Sequence, residues 1–121
     1  MYKLAIEVSI SASHYLRHYS GPCQRMHGHN WKIQVVVTGK QLNEAGMIID
    51  FKELSDLTWQ VIGRFDHQTF NELPPFDTLN PTAENMAKYF YHEIGRILPE
   101  GVSMSAIRLW ETDKYMLEYS E

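Results

Sequence analysis

The chain has a single cysteine among its 121 residues, so it can form no disulfide within itself. A lone thiol is most at home in a reducing compartment, and a cytoplasmic protein is expected. No apolar run approaches eighteen residues, which leaves no candidate transmembrane helix. The opening segment MYKLAIEVSI alternates polar and apolar residues instead of joining a basic start to an apolar stretch, so no leader is expected. Clustered basic residues are also missing. Eleven Lys and Arg stand against fifteen Asp and Glu, a net charge of −4, and no basic face exists to follow a nucleic-acid backbone. There is no G-x-S-x-G, no glycine-rich phosphate loop and no dinucleotide fingerprint. His92-Glu93 begins an H-E-x-x-H pattern, but Arg96 stands where the second histidine belongs, and a surface position is expected for the pair. The remaining composition, 44% hydrophobic and 21% charged, is that of an ordinary globular protein, expected to form one domain over residues 1–121.

What is present is concentrated between Ser11 and Val37. Three histidines, His14, His27 and His29, and the only cysteine, Cys23, fall within sixteen residues. If the stretch from about His27 to Thr38 is a strand, side chains two apart share a face, so His27 and His29 can hold one ion between them. A third imidazole from His14 completes a shell of three neutral nitrogens with an open position, the donor set of a catalytic zinc site. A structural zinc site normally uses four protein ligands with more thiolate than one cysteine can supply. Cys23 is therefore read as a base or nucleophile.

Residues 2 to 11 read as a first strand, and 13 to 25, broken by Gly21-Pro22, as a long loop. Trp31 to Thr38 is a second strand, with Trp31, Ile33, Val35 and Val37 on one side. Asp50, with Glu53 three positions on, is placed to cap a helix whose Leu54, Leu57, Val61, Ile62 and Phe65 share a face. Asn71 to Pro81 reads as connecting loop. Asn80-Pro81-Thr82 opens a second helix that carries Met86, Tyr89, Phe90, Ile94, Ile97 and Leu98 and stops at Pro99 and Gly101. Ser105 to Thr112 and Tyr115 to Ser120 form a hairpin around Asp113 and Lys114. The order β-β-α-α-β-β predicts an α+β fold, a four-stranded antiparallel sheet with two helices on one face.

Two further spots bear chemistry. Asp66-His67 follows the first helix, and an imidazole backed by a carboxylate is the natural partner for a reactive thiol, although neighbours in sequence need not share a hydrogen-bond network. Glu111, between Trp110 and Thr112, needs a partner if it faces inward. Taken alone it reads slightly better as an outward, solvated side chain.

Together these segments resemble the 6-pyruvoyltetrahydropterin synthase family, and within it the bacterial 6-carboxytetrahydropterin synthases of queuosine biosynthesis. The resemblance is carried by Ser11-Ala12-Ser13-His14, Cys23 through Asn30, Gly46 through Phe51, Asp66-His67, Asn80 through Asn85, and Trp110-Glu111-Thr112, nearly the whole chain. It implies the tunnelling fold, Zn2+ on His14, His27 and His29, and Cys23 as the base. It implies Asp66 and His67 as a relay that reaches the thiol from a neighbouring subunit, and Glu111 as the anchor of the pterin ring. Thr82, Ala83 and Glu84 would help to hold that ring, partly through backbone groups. Subunits of this fold join sheets edge to edge into trimers that stack in pairs, so a homo-oligomer, a trimer or a hexamer, is expected. Ile10 departs from the family, which commonly has an aromatic residue ahead of the S-A-x-H segment.

The substrate implied is a pterin triphosphate, 7,8-dihydroneopterin triphosphate. Three residues separate Cys23 from His27, as in the bacterial carboxy enzymes, whereas animal pyruvoyl synthases carry a longer spacer. The expected products are 6-carboxytetrahydropterin, acetaldehyde and triphosphate. A pyruvoyl synthase that keeps the side chain, and a non-catalytic metal- or pterin-binding subunit, are the alternatives. For the triphosphate, Arg17, His18 and Arg25 are the nearby cations.

Overall fold

The computed structural model describes residues 1–121, and its regular elements are β1 (Tyr2–His14), β2 (His27–Gly39), α1 (Phe51–Ile62), β3 (Gln68–Thr69), α2 (Ala83–Ile97), β4 (Ser103–Thr112) and β5 (Tyr115–Tyr119). The sheet order is β3-β1-β2-β4-β5. Four strands pair antiparallel as expected, and the α+β class holds. The sheet nevertheless has five strands and is mixed, because β3 runs parallel to β1 at Ala12–Gln68 and Ser13–Thr69. Two residues carry no alternation to read. What makes them a strand is the preceding turn, where His67 adopts a positive φ of 59° and its N–H donates to Ser11 O at 2.6 Å.

Alternation along the long strands decides the two faces. Val8, Ile10, Trp31, Ile33, Val35, Val37, Ile107 and Leu109 point to one side and are buried with Leu54, Ile62, Met86, Phe90 and Ile94 from the helices. Burial of such side chains, each contributing roughly 1.5–3 kcal/mol, holds both helices to that face. The opposite face is polar. On it Glu7, Gln34, Arg108 and Glu118 are cross-strand neighbours joined by side-chain hydrogen bonds.

The helix starts are as the sequence predicts, with one difference in detail. Asp50 caps α1 by accepting from the Lys52 N–H (2.8 Å), and Thr82 caps α2 by accepting from the Asn85 N–H (3.1 Å). Glu53 only occupies the first turn of α1. Helix α2 ends at Ile97, short of Pro99, and no helix is long and apolar enough to cross a membrane. His92 lies at the surface beside Glu121.

The feature that positions the site is the length of β1. It continues past Ser11 to His14, so its last residues pair with the start of β2, His14 opposite His27 and Ala12 opposite His29.

Candidate metal and thiol site

Cross-strand pairing puts His14 beside His27, and the two-residue strand repeat puts His29 on the same face. The three rings gather with centroids 4.5, 4.8 and 5.4 Å apart. Trp31, next on that face of β2, lies edge-on beneath His14 and His29 at 4.9 and 5.1 Å and donates its Nε1–H to Ala12 O at 3.1 Å. The site therefore rests on the core.

In two of the rings a hydrogen bond fixes which nitrogen is free. His14 Nδ1 lies 2.8 Å from Pro81 O and His27 Nδ1 lies 2.7 Å from Arg25 O. A carbonyl can only accept, so both Nδ1 atoms carry the proton and both Nε2 atoms present lone pairs. The Nε2 atoms of His14, His27 and His29 are all buried without a hydrogen-bond partner. Burial lowers the pKa of His14 and of His29, opposed at His14 mainly by the Pro81 bond and at His29 by Glu111. Partnerless, convergent imidazole nitrogens fit a metal ion, with a backbone carbonyl behind each of two rings to hold its tautomer.

Glu111 faces this cluster, contrary to the outward position its immediate neighbours suggest. It continues the inward alternation of Ile107 and Leu109, and the pairing of β4 with β5 slips between Trp110 and Thr112, leaving Glu111 at an irregularity that aims its side chain. Its Oε1 stands 2.9 Å from His29 Nε2 and 3.6 Å from His14 Nε2. The His29 contact is close but not aligned as a hydrogen bond. His14, His27, His29 and Glu111 each place a donor atom within 4.8 Å of all the others.

Cys23 sits in a single turn of 3-10 helix, Pro22–Gln24, and is half-buried. Its surroundings include a cavity of about 320 Å³ that it lines together with Pro22, His27, His29, Glu111, Thr112 and Tyr115. Thiol, imidazoles and carboxylate thus open onto one space.

Asp66 and His67 are elsewhere. Asp66 accepts the Ser11 N–H at 2.9 Å, and His67 Nδ1 lies 3.0 Å from the same carboxylate oxygen. The Ser11 N–H is the main reason the Asp66 carboxyl is held below its usual range. His67, 80% exposed, borders a separate cavity over the polar face with Ser11, Ser13, Asn30 and Thr69, and Cys23 lines none of it. One chain alone does not bring this pair to the thiol. Thr82, Ala83 and Glu84 open α2 next to Pro81, the residue that holds His14, and are outside the cavity shared by Cys23, His27 and His29.

Arg17 is committed to the fold. Its guanidinium donates to Leu79 O, Phe76 O and Asp77 O at 3.0–3.3 Å, which leaves little of it for a phosphate. Asn71 and Asn80, which the sequence places only in a loop and at a helix start, grip the backbone of Tyr15 and of Arg17, just beyond His14.

The family model for 6-pyruvoyl tetrahydropterin synthase matches residues 3–121. The 6-carboxy-5,6,7,8-tetrahydropterin synthase of Haemophilus influenzae is 32% identical, with 100% of each chain covered. The dihydroneopterin monophosphate aldolase of Pyrococcus furiosus is 30% identical over 78% of both chains. Among solved structures, the 6-pyruvoyl tetrahydropterin synthase of Caenorhabditis elegans superposes with a TM-score of 0.90 at 23% identity, covering 99% of this chain and 95% of that one, a likeness of fold. With a matching model that runs nearly from end to end, the chain belongs to the 6-pyruvoyl tetrahydropterin synthase family of enzymes.

Proposed function

We propose that the protein is a zinc-dependent 6-carboxytetrahydropterin synthase that converts 7,8-dihydroneopterin triphosphate to 6-carboxy-5,6,7,8-tetrahydropterin, acetaldehyde and triphosphate, in the route to queuosine and other 7-deazaguanines. The observation that carries this reading is the convergence of three buried, partnerless Nε2 atoms, two of whose rings, His27 and His29, line a cavity together with the only thiol. His14, His27 and His29 hold the ion, which when bound polarises the side-chain hydroxyl oxygens of the substrate and acidifies the protons beside them.

The chain's own groups do the rest. Cys23, as thiolate, takes and returns the proton on the substrate side chain. Glu111 accepts hydrogen bonds from the N–H groups of the ring, and Thr82, Ala83 and Glu84 hold the ring from the start of α2. Asp66 and His67 complete the proton relay from a neighbouring copy, which accounts for their distance from Cys23 within one chain. An assembly of three or six copies agrees with the edge of β1, which β3 covers only at Ala12 and Ser13. A reducing, cytoplasmic setting keeps the thiol free.

The carboxy product is favoured by the three residues between Cys23 and His27 and by the likeness to the H. influenzae enzyme. Incubation of the zinc-loaded protein with dihydroneopterin triphosphate should release acetaldehyde and a 6-carboxypterin. Retention of the three-carbon side chain would assign a pyruvoyl synthase instead. A full complement of metal with no turnover of dihydroneopterin tri- or monophosphate would leave a binding subunit.

A further inference from the structure

Beyond His14 the chain leaves β1, and two asparagines from distant parts of the sequence take hold of it. Asn71 Oδ1 accepts the Tyr15 N–H and Asn71 Nδ2 donates to Tyr15 O, both at 3.0 Å. Asn80 treats Arg17 the same way, accepting its N–H at 2.8 Å and donating to its carbonyl at 2.9 Å. Tyr15 and Arg17, two apart, thus each present both N–H and C=O to one carboxamide, the pattern by which alternate residues of a strand meet a neighbouring strand. Each carboxamide therefore stands in for a strand partner. Together they build, from side chains, an edge that β3 no longer provides.

Leu16 lies between the two gripped residues and faces the other way. Its N–H donates to Cys23 O at 2.9 Å, which ties the turn carrying the thiol back to the held segment. Asn80 is itself anchored, since its carbonyl accepts the Thr82 N–H at 2.8 Å and Asn85 Nδ2 at 2.9 Å. The next carbonyl along, Pro81 O, receives His14 Nδ1–H. One short stretch thus holds the first imidazole directly and the thiol through Arg17, Leu16 and the Cys23 peptide.

We infer that Asn71 and Asn80 are positioning residues, a pair of carboxamide clamps that fix where the Cys23 thiol stands relative to the histidine cluster. The catalytic consequence rests on Cys23 acting as the base; the placement of the thiol does not. The amide is specifically required. Asparagine offers one donor and one acceptor side by side, whereas aspartate keeps the bond to the Arg17 N–H and turns a second acceptor against the Arg17 carbonyl.

The test uses the zinc-loaded protein and its Asn71→Ala, Asn80→Ala and Asn80→Asp variants, with Ile94→Val as a control that weakens the core from α2. Two quantities are read at a temperature where all are folded: the rate of Cys23 alkylation by iodoacetamide, and kcat and KM for dihydroneopterin triphosphate. Alkylation is expected to accelerate about tenfold in either alanine variant, and less in Asn80→Asp, as the turn is released. The value of kcat is expected to fall about 10²-fold with KM little changed, the signature of a displaced reacting group. The control should move neither. Wild-type alkylation rates in the asparagine variants, or the same acceleration in Ile94→Val, overturn the inference. Should an alanine variant fail to fold, the other asparagine and Asn80→Asp decide it, because each bond can be removed separately. Failure of the wild type to turn over any dihydroneopterin phosphate would count against the proposed function, while the alkylation rates would still judge the clamps.

Discussion

Glu111 Oε1 stands 2.9 Å from His29 Nε2, yet the two atoms are not aligned as donor and acceptor. Two ligands of one tetrahedral ion have this relationship. With metal–ligand bonds of ~2.0–2.1 Å, neighbouring donor atoms are about 3.3 Å apart, and the distances from Glu111 to His29 and His14, 2.9 and 3.6 Å, bracket that value. An ion held by the three histidines would therefore lie beside the Glu111 carboxylate, close enough to feel its charge.

Glu111→Gln keeps the size of the side chain and removes its charge. Zinc affinity, measured by competition with a chromophoric chelator, should fall about tenfold or more, in the range that loss of a supporting carboxylate produces elsewhere. An unchanged affinity together with a raised KM would confine Glu111 to the pterin ring.

Zinc should stabilise the fold, because the three histidines converge only when β1 and β2 are paired. At free zinc of about one hundred times Kd the gain is ~2.7 kcal/mol, a rise in Tm on the order of 10 °C for a chain of this size. Differential scanning calorimetry with and without chelator measures it. His27→Ala should abolish most of the shift, and a shift that survives this change would place the stabilising ion elsewhere.

The metal-free protein should lose stability as the pH falls through the ordinary histidine range. The folded pKa values of His14 and His29 are lowered, chiefly by burial. Between those values and the unfolded value of about 6.5 the unfolded chain binds more protons, so stability rises with pH. The fold is favoured fully above about pH 6.5 and progressively less as the pH drops toward the folded values. Urea unfolding of the chelator-treated protein across pH 5–8 tests this, and a midpoint that does not move over that range would show that burial costs the charged imidazoles nothing.

Local periodicity was enough to read most of the fold. Trp31, Ile33, Val35 and Val37 announce a strand by alternation, and Asp50 and Thr82 announce helix starts by their chemistry. The end of β1 was harder, since Ser11, Ser13 and His14 carry no apolar alternation; pairing with His27–Asn30 makes it a strand. Glu111 had a signal two and four residues earlier, in Leu109 and Ile107, but the neighbours on either side of it suggested solvent. The roles of Asn71, Asn80 and Arg17 had no local signal, because what each side chain meets lies 56 to 63 residues away. His67 and Cys23 were readable as chemistry, and only the fold shows that one chain sets them on different cavities.

Trp31 couples the core to the site. It is 1% exposed, packs on Phe70 at 5.8 Å, backs the rings of His14 and His29, and gives its indole N–H to Ala12 O. Trp31→Phe retains an aromatic ring but removes the donor and leaves a gap, so unfolding free energy should fall by about 2–4 kcal/mol. If stability alone changes, zinc affinity will stay at its wild-type value once the folded fraction is taken into account. The edge-on packing argues for more than that, because without the indole the two rings gain freedom that must be lost again when they converge on an ion. Affinity should therefore fall at least several-fold, with His27, which does not touch Trp31, still held by Arg25 O. Chelator competition on the folded variant separates the two outcomes, and an unchanged affinity would show that the strand backbone alone orients the ligands.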